Sequence, residues 1–251
     1  MPPSIVISDW NGTLIEYRNE GPLFHYLGTE LFRASLPRHP IWMARILRTR
    51  RRLSNLHQSR SGDPVTYVRE LFRVYNNGII RGAPVSLVHL IVDQHARSPT
   101  TQSKLDHRVL RGVCACHEAG ITTGILSAGY KYGIESILAA AGYDRHFDFC
   151  VADRLAQKDG KAIGFKLELY TRKHEFLLNL LRQRGLDPRA VAYIGDSEDD
   201  EGCFRAVGYP VVSFLAPERL KARFASEYKA FVPSSERDLS SFLDIAPAPT
   251  C

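Results

Sequence analysis

The chain has 251 residues, of which 44% are hydrophobic and 24% charged, with a formal net charge of +6. That balance is ordinary for a soluble globular protein, and the length suits one large domain or a domain carrying an insert; a disordered or fibrous chain is excluded. No apolar run approaches the roughly 18–20 residues that span a bilayer, and the richest, Ala83 to Asp93, is interrupted by Ser86 and His89.

In chain order, the first element is a strand. Ile5, Val6 and Ile7 form a β-branched run that stops on Asp9. From about residue 20 to 100 the texture becomes helical only. Amphipathic stretches open at Pro22, Pro40, Pro64 and Pro84, each proline suiting a first helical position. Breakers at Pro37, Ser61-Gly62-Asp63 and Gly82 separate them. From about residue 110 onward, short β-branched runs return at 122–127, 147–151, 191–196 and 209–214. Helical stretches lie between them, those at 132–142 and 174–185 ending on Gly142 and Gly185 as a C-cap would.

Strands alternating with helices imply right-handed crossovers and a parallel sheet covered on both faces. The reading is an α/β protein: a Rossmann-like core at 1–18 and 105–245, an inserted all-helical cap at 19–104, and a flexible tail at 246–251.

Five cysteines (Cys114, Cys116, Cys150, Cys203 and Cys251) are odd in number and scattered, which predicts reduced thiols. With no leader-like start, they predict a cytoplasmic protein. Cys114-Ala115-Cys116-His117 lies in a helix-like stretch with no second pair at zinc-like spacing, so it reads as packing. The arginine-rich patch at residues 45–52 has neither aromatic interleaving nor a nucleic-acid motif and reads as a solvated helix face.

Open parallel sheets bind ligands at the carboxyl ends of their strands. Here one strand ends on Asp9, another on Ser127-Ala128-Gly129, and a third on Asp196-Ser197-Glu198-Asp199-Asp200, while Lys173 opens the helix before the third. Singly, each has a bland use as a cap, a turn or a dipole partner. Together and in this order, Asp9-Trp10-Asn11-Gly12-Thr13-Leu14, Ser127, Lys173 and Gly195-Asp196-Ser197-Glu198-Asp199-Asp200 resemble the four motifs of the haloacid dehalogenase (HAD) superfamily. The cap position, and a hairpin-like segment at 151–165, are similar to its phosphoserine-phosphatase-like subgroup.

The resemblance implies a phosphatase or phosphotransferase acting on a small phosphorylated metabolite. Asp9 would attack phosphorus and carry an aspartyl-phosphate. Asp9, the Asn11 backbone carbonyl, Asp196 and Asp200 would hold Mg2+, a hard cation suited to carboxylates, with Asp200 or Asp199 alternatively orienting Lys173. Lys173, Ser127, Ala128 and Thr13 would bind the phosphate.

Asn11 departs from the pattern. The family carries there an aspartate that protonates the leaving group and then activates water, and an amide cannot cycle that proton near neutrality. The activity is therefore expected to be slow, or limited to good leaving groups, unless another group supplies the proton. One alternative is a catalytically impaired binding or regulatory protein. Another is a phosphonate hydrolase, whose first motif is similar, but that chemistry needs a cap lysine, and no lysine precedes Lys104. Which cap side chains face Asp9 is not readable from periodicity; Arg45 and Arg48 are candidates. The oligomeric state leaves no trace in the pattern.

Overall fold

The computed structural model of the protein describes residues 2–35, 39–58 and 63–245. The breakers at Pro37, Ser61 and Gly62, Cys251 and the expected tail at 246–251 lie outside them.

Strand β1 (Ile5–Ser8) is buried at every position, as its β-branched run predicts. Five helices follow: α1 (Gly21–Ser35), α2 (Pro40–Gln58), α3 (Pro64–Tyr75), α4 (Val85–Ala96) and the short α5 (Pro99–Gln102). The core resumes with α6 (His107–Glu118), β2 (Thr122–Tyr130), α7 (Lys131–Ala141) and β3 (Phe149–Asp153). A hairpin of β4 (Leu155–Lys158) and β5 (Lys161–Phe165) precedes α8 (Lys173–Gln183), β6 (Val191–Gly195), α9 (Glu201–Ala206) and β7 (Tyr209–Val212). Two further helices, α10 (Glu218–Glu227) and α11 (Glu236–Phe242), follow the last expected strand.

The sheet has the order β3-β2-β1-β6-β7, all parallel. Side-chain alternation along its strands feeds two cores. Val6, Ile125, Ile194 and Val211 pack on one face with Val113 of α6, Ile137 of α7 and Leu239 of α11. Ile5, Ile7, Leu126, Tyr193 and Val212 pack on the other with Leu177 of α8, Phe204 of α9 and Phe224 of α10. Among the described residues, no helix is long and apolar enough to cross a membrane.

A third core joins the inserted helices: Leu27 of α1, Ile46 of α2, Tyr75 of α3 and Ile91 of α4. The hairpin belongs to this layer, because Ala162 and Phe165 pack into it. Asn76 seals the joint, its Nδ2 donating to the Phe165 carbonyl and its Oδ1 accepting from the Phe165 N–H, both at 2.9 Å. Helix α4 ties the layer to the sheet domain. Tyr132 and Ser136 of α7 donate to Asp93 at 3.1 and 2.8 Å, and His89 stacks on Tyr132.

Strand boundaries move by two residues at β3 and β7, and the largest shift is at β2. The run expected at 122–127 continues to Tyr130, with a register shift against β3 between Ser127 and Tyr130. Ser127-Ala128-Gly129 carries no strand signature, and it is held between the pairs Ser127–Ala152 and Tyr130–Asp153.

Candidate active site

β1, β2 and β6 are neighbours, so their carboxyl ends bring the separate motifs to one rim. Asp9 follows β1 directly, its N–H donating to the Ile194 carbonyl at 2.8 Å. Lys173, at the first turn of α8, reaches Asp9 Oδ2 at 3.0 Å and Asp200 Oδ1 at 2.7 Å, and all three side chains are buried.

Asp200 is fully committed. Its Oδ1 accepts from Lys173 and from the Tyr193 hydroxyl, both at 2.7 Å. Its Oδ2 accepts from the N–H groups of Asp196 and Ser197 and from the Ser197 hydroxyl, at 3.0 to 3.1 Å. These bonds hold the carboxyl below its usual range, with the Lys173 ammonium overcoming the effect of burial. Asp200 thus orients Lys173, and the duty left open between it and Asp199 falls to Asp200, since Asp199 is exposed.

Thr13, expected on the phosphate, sits elsewhere. It is wholly buried, and its hydroxyl donates to Asp196 Oδ1 at 3.3 Å, as a hydroxyl beside a buried carboxylate should. Gly12 explains its own motif position. Its φ is +70°, and a Cβ there would stand 2.1 Å from Asp196 Oδ2, so only glycine lets the loop pass that carboxylate. Ser213 braces the loop from beyond β7 by donating to the Gly12 carbonyl at 3.2 Å.

Three buried carboxylates face one ammonium. Burial, reinforced by the charges of Asp200 and Asp9, pushes Asp196 up to about 8. Burial also pushes Asp9 up to about 6, against the pull of Lys173. Lys173 itself is held above its ordinary value, since Asp200 and Asp9 outweigh its burial. Asp9 Oδ1 is buried without a hydrogen-bond partner. One oxygen each of Asp9, Asp196 and Asp200 lies within 4.8 Å of the others, the one such metal-competent group among the described residues. The excess negative charge, the orphaned oxygen and the all-oxygen donor set fit a divalent cation such as Mg2+.

Ser127 and Ala128 line the cavity in front of Asp9, together with Asn11 and Lys173. Ser127 is buried, and its Oγ accepts from the Gly129 N–H at 3.1 Å. Of the arginine patch at 45–52, Arg50 alone lines this cavity. Arg45 instead donates to the Arg81 carbonyl at 2.6 Å, and Arg48 is exposed. Cys114 and Cys116 are buried in α6 as free thiols.

Sequence reasoning missed Glu20. This residue, just before α1, is half-buried in the cavity wall, and its Oε1 accepts from Asn11 Nδ2 at 3.2 Å and from the Tyr130 N–H at 3.4 Å. Gly129 makes the room, since a Cβ there would stand 2.4 Å from that oxygen. Burial pushes the Glu20 carboxyl up to about 7. A carboxyl group thus touches the very residue that lacks one. The clue available in advance was Asn11 itself, whose substitution calls for an acid nearby.

A sequence profile of haloacid dehalogenase-like hydrolases matches residues 6–205. Among solved structures, a substrate-bound phosphoserine phosphatase complex aligns with a TM-score of 0.54 at 15% identity, over 97% of this chain and 98% of that one. Cytosolic 5′-nucleotidase IIIB bound to cytidine aligns with a TM-score of 0.60 at 18% identity, over 97% and 86%. A protein of unknown function from Bordetella pertussis Tohama I reaches 0.62 at 15% identity, over 91% and 96%. Identities this low speak for a shared fold.

Proposed function

The chain belongs to the haloacid dehalogenase-like hydrolase family, and on that premise we propose that it is a Mg2+-dependent phosphatase or phosphotransferase working through an aspartyl-phosphate on Asp9. The observation that carries this reading is the Asp9 carboxylate: buried, held on one oxygen by Lys173, and without a partner on the other. A carboxylate in that state has one oxygen open to a cation or to phosphorus.

In this reading an Asp9 oxygen bonds to phosphorus as the bond to the leaving-group oxygen breaks. Water then attacks the acyl phosphate, releasing inorganic phosphate and restoring Asp9. Lys173 neutralises charge on the transferring group, and Asp200 keeps it aimed. Ser127 supplies a hydroxyl at the phosphate end of the cavity. Asp9, Asp196 and the Asn11 carbonyl would hold Mg2+, which would supply charge neutralisation for the phosphoryl oxygens; Asp200, expected beside them as a ligand, has both oxygens engaged by Lys173, Tyr193, Asp196 and Ser197 and would stand behind the ion. Thr13 and Gly12 position Asp196 for that role.

The leaving group needs a proton that Asn11 cannot give. Glu20, in contact with the Asn11 amide, is the acid placed to supply it, and to accept a proton from the attacking water in the second step. Asn11 then serves as the hydrogen-bond donor that aims Glu20. Without such help the enzyme would be confined to acyl and aryl phosphates, whose leaving groups are weak bases.

The test is turnover of acetyl phosphate, p-nitrophenyl phosphate and an alkyl phosphate, with and without Mg2+, by the intact chain and by Asp9→Ala. Metal-dependent release of phosphate that Asp9→Ala abolishes is the expected outcome. No turnover of any of the three would overturn the proposal in favour of a binding module, and activity surviving in Asp9→Ala would overturn the aspartyl-phosphate on Asp9.

A further inference from the structure

The cavity in front of Asp9 is much larger than a phosphoryl group requires. Its volume is about 1120 Å³, above the roughly 300–1,000 Å³ of ordinary small-molecule sites. One end holds the carboxylates and Lys173; the other runs beneath α1, α2 and α3, where Phe24, Leu53, Tyr67, Leu71, Phe72 and Tyr75 form its wall.

That wall is rigid. Phe24 stacks on Tyr75 at 4.9 Å and on Phe165 at 4.8 Å between ring centroids, and meets Phe72 edge-on at 5.3 Å. Two of the polar groups lining it are engaged within the inserted helices. The Tyr75 hydroxyl donates to the Phe24 carbonyl at 2.7 Å, and Arg50 Nη2 donates to Thr29 Oγ1 at 2.6 Å. Beyond those contacts, the wall offers ring edges and the aliphatic side chains of Leu53 and Leu71 to a ligand.

Gly28 points the same way. It sits in the interior of α1, where glycine weakens a helix, yet the nearest atom to a Cβ there would be Ile79 Cδ1 at 3.4 Å, ordinary contact. No close approach demands glycine at this position. What its missing side chain does is widen the cavity it lines.

We propose that this chamber receives the body of the substrate, and that the substrate class is phosphate monoesters bearing a bulky apolar body, in contrast to a small polar metabolite. The inference rests on the phosphatase reading for the placement of the phosphate at Asp9 and Lys173. The apolar wall then faces whatever the phosphate carries. Burying that body supplies binding energy remote from the reacting bond, which can be used to hold the phosphoryl group in line.

Calorimetric titration with methyl-, butyl-, octyl- and naphthylphosphonate in Mg2+ reads this recognition without turnover. For the alkyl series, Kd is expected to fall about fourfold per added methylene until the chamber is full. Naphthyl against octyl then tells whether rings or chains fit better. Leu71→Asp should flatten the gradient, and the milder Leu71→Ala should weaken it while keeping the wall apolar. An unchanging Kd from methyl to octyl and naphthyl in the wild type, or a full gradient persisting in a folded Leu71→Asp, would overturn the proposal. The two readings fail separately. Acetyl phosphate turnover with no gradient removes the chamber and leaves the phosphatase; a gradient without turnover of any ester leaves an apolar phosphate-binding site and removes the phosphatase.

Discussion

Replacing Glu20 by Gln would remove an acid while keeping its shape. The Gln carbonyl can still accept from Asn11 Nδ2 and from the Tyr130 N–H, which Glu20 Oε1 meets at 3.2 and 3.4 Å, so the loop before α1 should hold its place. What disappears is the proton for the leaving group. General acid help of this kind contributes about 10²–10⁴ in rate, or roughly 3–5 kcal/mol of barrier. The loss should fall on alkyl phosphates, whose departing alkoxide must be protonated, and should stay below about tenfold for acetyl phosphate and p-nitrophenyl phosphate. The assay is kcat/KM across monoesters of rising leaving-group basicity, for wild type and Glu20→Gln. A steeper dependence in the variant is expected, with alkyl turnover returning when Asn11→Asp is added. An equal fall across the whole series would mean that Glu20 binds substrate uniformly, and the proton-transfer argument would fail.

Four further outcomes follow from the site and its supports. Mg2+ at about a hundred times its Kd should stabilise the fold by about 2.7 kcal/mol, read as a rise in Tm that EDTA reverses. Gly12→Ala should lose that rise, because its Cβ would displace Asp196 from 2.1 Å away; a retained shift would refute the reasoning. Lys173→Met leaves the buried Asp9 and Asp200 without their shared ammonium, and should cost about 3–5 kcal/mol in metal-free urea denaturation; a cost under about 1 kcal/mol would show that the other bonds to Asp200 suffice. Asp153 is buried at the end of β3, where its Oδ1 anchors the Glu168 and Leu169 N–H groups at 2.8 and 3.2 Å. Burial pushes it up to about 6 from 3.8. The folded state therefore binds that proton more tightly than the unfolded chain, and stability from this group is full below pH 3.8 and lost as pH rises through 6. Asp153→Asn should gain on the wild type by at most about 3 kcal/mol between pH 4 and pH 8; parallel stability curves would contradict this.

The phosphate end of the site was readable in the sequence because its chemistry uses residue types that are rare in protein interiors. Asp9, Lys173, Asp196 and Asp200 are buried charges, and each stands at a boundary that the apolar pattern marks on its own. Glu20 has no such frame. It follows Asn19 in a polar stretch, and Glu16 is an acid still nearer to Asn11 in sequence. Only the fold separates them: Glu16 pairs with Lys104 on the surface, while Glu20 tucks against Asn11 and Gly129. Helix α4 shows the same limit, since its periodicity marks a helix of the insert but not the Asp93 bonds that fasten it to α7.

The chamber was hidden for a deeper reason. An apolar helix face has the same period whether it meets another helix or an empty space, because burial from water is all that the pattern encodes. Phe24 and Leu71 therefore read as core, and Gly28 as a weak point in a helix. Their meaning changes only when α1, α2 and α3 are seen to leave a cavity between them and Asp9. A site that recognises charge at one end and apolar bulk at the other is thus visible in sequence from one end only. The chemistry performed on a substrate is easier to infer than the identity of the body it is performed on, and the titration across apolar phosphonates addresses the half that residue patterns leave silent.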